Sequence, residues 1–310
     1  MESLNRMALE LADEALDFAA ELDVGAFELD NGATVLDFGV DHDGGIEAGL
    51  LLAELQTAGL ATVQTRVDEV GGATIPHVEL ATDHPGLALL GAQKAGWELA
   101  VGDFEGLGSG PARALVAEEP EYMALDYADA FEFAVLAVES ETLPDEGVAD
   151  RVAERAGVAP EQVYLVAFPT ASVVGSVAMA ARAAEAAAFR LFELDYDPQS
   201  LVSASASAPV APVAADEGEA IARTNDALAY GGRAHLTVKD DFDAFDEVAS
   251  TAAETHGVPF ADLFAEADWD FGEVAPDVFG PAAVTIDVLG GPTYAFGETH
   301  ESLVAESFGL

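Results

Sequence analysis

Arg182 and Glu185 stand three residues apart in a run, PTASVVGSVAMAARAAEAAAFRL from Pro169 to Leu191, that is otherwise almost entirely Ala, Val, Ser and Gly. Residues three apart on a helix project from one face, so this guanidinium and carboxylate are within reach of each other and of a shared third group. A carboxylate placed in that way can take a proton from water. A neighbouring arginine keeps it ionised and oriented. The same spacing also suits an ordinary surface ion pair worth about 0.2–0.5 kcal/mol. What favours chemistry is that the flanking residues offer almost no solvated face.

Two other stretches carry polar chemistry. Gly106-Leu107-Gly108-Ser109-Gly110-Pro111-Ala112-Arg113 has three glycines that could turn backbone amides toward a ligand, a proline suited to a first helical turn, and an arginine beside that turn. Anions would bind in such a place. The loop matches neither GxxxxGK[ST], for want of the Lys and Ser/Thr, nor GxGxxG, which needs Gly at Pro111; a tight structural turn accounts for it equally well. Lys94 closes a helix expected over Gly86 to Lys94, with Gly96 suited to its C-cap. Its charge would complement the helix dipole there, or contact a ligand.

Elements must hold these residues. An apolar strand, Val163 to Phe168, feeds Pro169, Thr170 and Ser172, whose breaker and N-cap chemistry starts a helix near Ser172. That helix should be long, Ala-rich and largely buried. Upstream, Ser3 to Leu22 has a helical period, and Asn31-Gly32 between Ala26 to Leu29 and Ala33 to Phe38 signals a hairpin. Asp41-His42-Asp43-Gly44-Gly45 reads as a turn into a helix over Ile46 to Ala58. Strands follow at Ala61 to Val67, Thr74 to Ala81, Trp97 to Phe104 and Phe131 to Val138. Composition places the boundary at Glu139 to Pro144, which divides the chain into subdomains 1–140 and 141–310. A helix is expected over Asp145 to Ala156. LVSASASAPVAP, Leu201 to Pro212, is too rich in Ser, Ala and Pro for a strand throughout, and its second half is expected to be a loop. Glu217 to Leu228 reads as a helix and Ala234 to Val238 as a strand. Asp240 to Asp277 reads as solvated helix in its first half and irregular after Trp269. Ala283 to Leu289 and Thr293 to Phe296 form a hairpin before a short terminal helix. Helices and strands thus intermix along the chain, an α/β (α+β) class, with no repeat at a 20–50-residue period.

Composition sets the frame. The 310 residues, 51% of them hydrophobic, form one large domain or two subdomains with ample material for a core. A net charge of −47 spread over nearly every segment gives a folded protein with an acidic coat, as in proteins of salt-in halophiles. Nucleic acid and anionic membrane surfaces are poor partners for that field. There is no cysteine, hence no disulfide, thiolate catalysis or Cys-based zinc site. None of the six histidines falls in an i,i+4 pair or an HExxH arrangement, so no metal is indicated. The acidic, amphipathic amino terminus and the absence of an 18-residue apolar run imply a cytoplasmic protein. Only eleven basic residues remain, two of them lysines, which gives weight to Arg6, Lys94, Arg113, Arg182, Arg223 and Arg233 and less to Arg151 and Arg155.

Several of these stretches together resemble one family, the archaeal methenyltetrahydromethanopterin cyclohydrolases. They are Ser3-Leu4-Asn5, Gln93-Lys94-Ala95-Gly96-Trp97, the GSGPARAL segment from Gly108 to Leu115, Pro169-Thr170-Ala171-Ser172, Gly175-Ser176-Val177 with Ala181-Arg182 and Glu185, Ala208-Pro209-Val210-Ala211-Pro212, and Thr224-Asn225-Asp226. GSGPARAL and Arg-x-x-Glu are the specific ones. Ala178 departs from the pattern, where the resemblance implies Gln and one more polar contact. The resemblance implies two α/β subdomains with a ligand cleft between them, a homotrimer, no metal and no redox cofactor. The implied reaction, in one-carbon metabolism, adds water to a cationic methenyl carbon held by two pterin nitrogens and opens the adduct to a 5-formyl pterin. Glu185 would be the general base, Arg182 its partner and Lys94 a further residue at the reacting pterin. Ser109, Gly110, Arg113, Thr170 and Ser172 would contact substrate. The carrier, methanopterin or folate, stays open, as do a phosphate-handling enzyme built on Gly108 to Arg113 and a non-catalytic pterin-binding protein.

Overall fold

In the computed structural model, residues 3–269 and 273–310 are described. The strands in chain order are β1 Gly25–Glu28, β2 Thr34–Asp37, β3 Thr62–Val70, β4 Ala73–Thr82, β5 Ala95–Val101, β6 Phe104–Ser109, β7 Ala134–Glu139, β8 Val163–Phe168, β9 Leu201–Pro209, β10 Arg233–Val238, β11 Ala283–Val288 and β12 Thr293–Gly297. The α-helices are α1 Leu4–Asp17, α2 Ala19–Leu22, α3 Ile46–Gln56, α4 Arg113–Val116, α5 Pro120–Leu125, α6 Glu146–Ala156, α7 Val173–Ala180, α8 Ala183–Glu193, α9 Glu217–Gly231, α10 Phe260–Glu266 and α11 Glu301–Phe308. Strands and helices form a mixed α+β protein with two six-stranded sheets.

Each sheet belongs to its own compact unit. The first comprises residues 1–61 and 86–178, the second 62–85 and 179–310. The expected cut after residue 140 is therefore corrected. It would separate β7 from β8, which pair in parallel from Ala134↔Val163 to Glu139↔Phe168. The β3–β4 hairpin lies early in sequence yet pairs with β9, as Val78↔Ala208 and Leu80↔Ala206 show. Backbone hydrogen bonding across a sheet, and not sequence proximity, decides membership.

The first unit orders its strands β1-β2-β8-β7-β6-β5. Alternation along β7 sends Val135 and Ala137 to one face, with Leu4, Leu52 and Phe168, and Leu136 and Val138 to the other, with Trp97, Val148 and Val152. Strands apolar on both faces are what a sheet covered on both sides requires. The Asn31-Gly32 hairpin forms as read, Gly32 taking a φ of +88°. Ser3 caps α1 by accepting the Arg6 amide. The Asp41 to Gly45 turn is held by the buried Asp37 carboxylate, which accepts the amides of Val40, Asp41 and His42 at 2.7, 2.9 and 3.1 Å. His42 Nδ1 also lies 2.8 Å from it, a hydrogen bond that raises the imidazole above its ordinary range.

The second unit orders β12-β11-β10-β9-β4-β3, with only β10–β11 parallel. Here β9 runs through Pro209, so the strand reaches further into the second half of the segment than expected, and the expected loop is confined to Val210 to Pro212. Ser and Ala are weak strand formers alone, but β9 is central, hydrogen-bonded to both β10 and β4, and α8 lies against it. The small side chains let that helix come close, and tertiary pairing overrides propensity. The acidic segment from Asp240 is also not the expected helix. It folds as two 3₁₀ turns, Phe245–Glu247 and Ser250–Ala252, because Phe242 and Phe245 pack on Tyr196 at 5.5 and 5.7 Å and bury the chain. Part of the irregular stretch expected after Trp269, residues 270–272, lies outside the described residues.

Candidate active site

The Pro169 to Leu191 run is not one helix. It breaks at Ala181-Arg182 into α7 and α8, and Arg182 occupies the N-cap position of α8 with φ −90° and ψ −1°. Glu185 thereby falls in the first turn of α8, where the exposed amides favour a negative charge. Arg182 Nε donates to Glu185 Oε2 at 3.3 Å, and both side chains are about nine-tenths buried. The i,i+3 spacing holds across the break, so the pair forms as read and the surface ion-pair alternative fails on burial.

Ser172 caps α7 as expected. Its hydroxyl donates to Pro169 O at 2.8 Å and accepts the Gly175 amide at 2.9 Å. A Cβ on Gly175 would stand 2.2 Å from Pro169 O, so only glycine lets α7 press on the strand end that precedes it. Thr170, fully buried, donates its hydroxyl to the Glu139 carboxylate. Ser109 accepts from Gln56 Nε2 at 3.0 Å and is also buried.

Around Lys94 the structure departs from the sequence reading. Gly86–Gln93 is a π-helix, and Lys94 N donates to Leu89 O, five residues back, at 2.8 Å. Gly96 is not its C-cap but lies within β5, where a Cβ would meet Glu119 Oε2 at 2.6 Å and Arg113 Nε at 2.9 Å. Arg113, read as a substrate contact, is completely buried. Its guanidinium donates to both Glu119 oxygens, to Ala92 O at 3.3 Å and to Lys94 O. Burial opposes its charge, but Tyr122, Glu119 and Glu121 outweigh that and hold the guanidinium above its ordinary value. Burial likewise opposes ionisation of Glu119, and the hydrogen bonds and charge of Arg113 overcome it, leaving that carboxyl below the usual range. Lys94 Nζ lies 3.0 Å from Glu121 Oε1 and 3.7 Å from Glu119 Oε2. Sequence reasoning missed both glutamates. In a chain with 58 acidic residues nothing marks these two except Pro120 between them, which opens α5.

The glycine loop is no phosphate cradle. Gly110 N donates to Ala92 O and Ala112 N to Val135 O, at 2.8 and 2.9 Å. The helix that follows has only four residues. Two of the amides that would bind an anion are used in tying the loop to Ala92 and to Val135 of β7. Arg155, discounted as ordinary, stacks over Trp97 at 4.3 Å.

The fold thus provides a buried arginine–glutamate pair at a helix start and a lysine held by carboxylates, groups of the kind that acid–base chemistry uses, and comparison with known proteins shows the class. The cyclohydrolase (MCH) family model matches residues 3–308. A methenyltetrahydromethanopterin cyclohydrolase of Halobacterium salinarum is 67% identical over 310 residues, covering all of both chains. Those of Methanothermobacter marburgensis and Methanospirillum hungatei are 40% and 38% identical, covering this chain fully and 100% and 99% of their own. The chain belongs to the methenyltetrahydromethanopterin cyclohydrolase family, and is a hydrolase of that family. Among the described residues, no helix is long and apolar enough to cross a membrane.

Proposed function

We propose that this chain hydrolyses the methenyl bridge of a 5,10-methenyl-tetrahydropterin, with Glu185 as general base. The single observation that carries the reading is the buried Arg182–Glu185 pair at the start of α8. Glu185 takes a proton from water as the oxygen bonds to the methenyl carbon, which neutralises the amidinium cation and gives a cyclic hydroxy adduct. The adduct hydroxyl then loses its proton as the carbon–oxygen double bond forms. The bond from that carbon to one pterin nitrogen breaks, and that nitrogen takes a proton. Cation plus water becomes the 5-formyl pterin plus one proton. The carbon is already cationic, so the sequence of steps needs neither an electron carrier nor a metal to activate it. Arg182 orients the carboxylate by a charge-assisted hydrogen bond, and Lys94 supports the pterin or the adduct. Ser109, Gly110, Thr170 and Ser172 shape the surroundings of the substrate. A homotrimer in a cytoplasm of high salt completes the reading, supported by the acidic coat and the resemblance to archaeal relatives.

The test follows loss of methenyl-pterin absorbance in molar KCl, with methanopterin and folate carriers in parallel. Glu185→Gln is expected to lower turnover by roughly 10²–10⁴-fold in a folded protein. Wild-type rates in that variant would remove Glu185 from the mechanism, and binding without turnover in the parent would mark a pterin carrier instead.

A further inference from the structure

Lys94 and Arg113 face Glu119 and Glu121 in one cluster of two cations and two carboxylates. Two of its members have settled tasks. Arg113 and Glu119 clamp each other in a paired, two-pronged contact, and the guanidinium also fixes the carbonyl of Lys94. The missing Cβ of Gly96 gives that clamp its space. Glu121 has no such explanation. Its side chain is 3% exposed, and one oxygen faces the Lys94 ammonium at 3.0 Å. Among the described residues, its other oxygen has no hydrogen-bond partner. Burying a carboxylate with half of its acceptors unmet is costly, and an apolar side chain of that size would serve stability better.

We propose that Glu121 is a positioning residue of the cyclohydrolase reaction, which fixes the place of the Lys94 ammonium, with the Arg113–Glu119 clamp as its rigid support. The inference rests on the reading of Lys94 as a residue of that reaction. Glu119 cannot replace Glu121 in this task, since the Glu119 oxygen nearest Lys94, at 3.7 Å, is the one bonded to Arg113 Nη2. The π-helix sets the other end of the arrangement. Its wider turn delivers Lys94 one residue out of α-helical phase, a feature found disproportionately at functional sites.

The experiment is a double-mutant cycle of Glu121→Gln and Lys94→Ala, read as kcat/KM on methenyl-pterin in molar KCl. Glu121→Gln is expected to lose roughly tenfold in the parent and less than about twofold when Lys94 is already Ala. The chain has two lysines, so amine acylation followed by mass spectrometry supplies a second readout. Lys94 should label several-fold faster in Glu121→Gln, with Lys239, which donates to Gln199 O in another part of the chain, unchanged as internal reference. Equal losses in both backgrounds, full activity of Glu121→Gln, or unchanged labelling of Lys94 would each overturn the proposal. Full activity of Lys94→Ala would overturn the assignment of Lys94, and this inference with it, while leaving the Glu185 reading intact. Should Glu121→Gln fail to fold, Glu121→Asp, which keeps the charge but withdraws it by one methylene, enters the same cycle with the same outcomes.

Discussion

Two ion clusters of this protein, among others, differ in how they are made. Arg182 and Glu185 are three residues apart at the start of one helix, and their contact follows from local backbone geometry. Arg113, Glu119, Lys94 and Glu121 are gathered from the end of a π-helix, the start of α4 and the start of α5, across as many as 27 positions from Lys94 to Glu121. The local pair needs little support and can be devoted to chemistry. The dispersed cluster ties three elements together, and its innermost arginine is wholly enclosed. Removing one member of an enclosed pair strands the other, so stability should concentrate in the second cluster and turnover in the first.

The comparison breaks or holds on three measurements. The largest effect is expected for Arg113→Met, which takes from the half-buried Glu119 carboxylate its two-pronged partner. It should cost about 3–5 kcal/mol, which lowers the melting temperature by on the order of 10 °C. Were thermal unfolding in molar KCl to stay within a degree or two of the parent, the cluster would not be the structural member of the two. Arg182→Gln should instead leave melting nearly unchanged and reduce turnover by roughly 10–100-fold. Combined with Glu185→Gln it should add little, as residues acting on one proton transfer do. If the two losses multiply, or if only KM rises, Arg182 contacts substrate independently and the pair is not a unit.

The third measurement concerns another buried acid, Asp226, which sharpens the contrast because it forms no ion pair with a Lys or Arg among the described residues. Asp226 accepts the Phe260 amide at 2.9 Å and the Ser307 hydroxyl at 2.6 Å. Burial, helped by the charge of Asp262, raises its carboxyl from 3.8 to about 6 against those hydrogen bonds. The fold therefore holds this proton more tightly than the unfolded chain does. The resulting stability is fully present below pH 3.8 and is lost as pH rises through about 6. Asp226→Asn cannot ionise, and should exceed the parent in stability by ~3 kcal/mol at pH 8, with the gap closing on acidification through that window. Melting curves of both proteins from pH 5 to 8 measure it. A gap independent of pH would mean that Asp226 is not the group that pays.

Much of the local architecture was legible because its causes are local. Asn31-Gly32 favours the positive φ of a tight turn, Ser3 and Ser172 supply capping oxygens, and the spacing of Arg182 and Glu185 survives even the break between α7 and α8. Other readings failed where a distant segment decides. LVSASASAP has no strand propensity to show, yet two neighbours hydrogen-bond it into the middle of a sheet. Gly96 resembles a helix cap in sequence, and in the fold its missing Cβ is the room occupied by Glu119 and Arg113.

The candidate site divides along the same line. Sequence by itself determined the chemistry available: one carboxylate beside one arginine on a small-residue background, a lysine that is one of two, an acidic coat, and the motifs shared with a family. These depend on residue type and on spacings shorter than a helical turn or two. Tertiary structure alone decided that Arg113 turns inward, that Lys94 leaves a π-helix to meet Glu121, and that two of 58 acidic residues matter to it. The reason is physical. Helix phase, capping and turn geometry are set by neighbours a few bonds away, whereas a buried charge is tolerable only where the fold brings its counter-charge, and no spacing along the chain records that meeting.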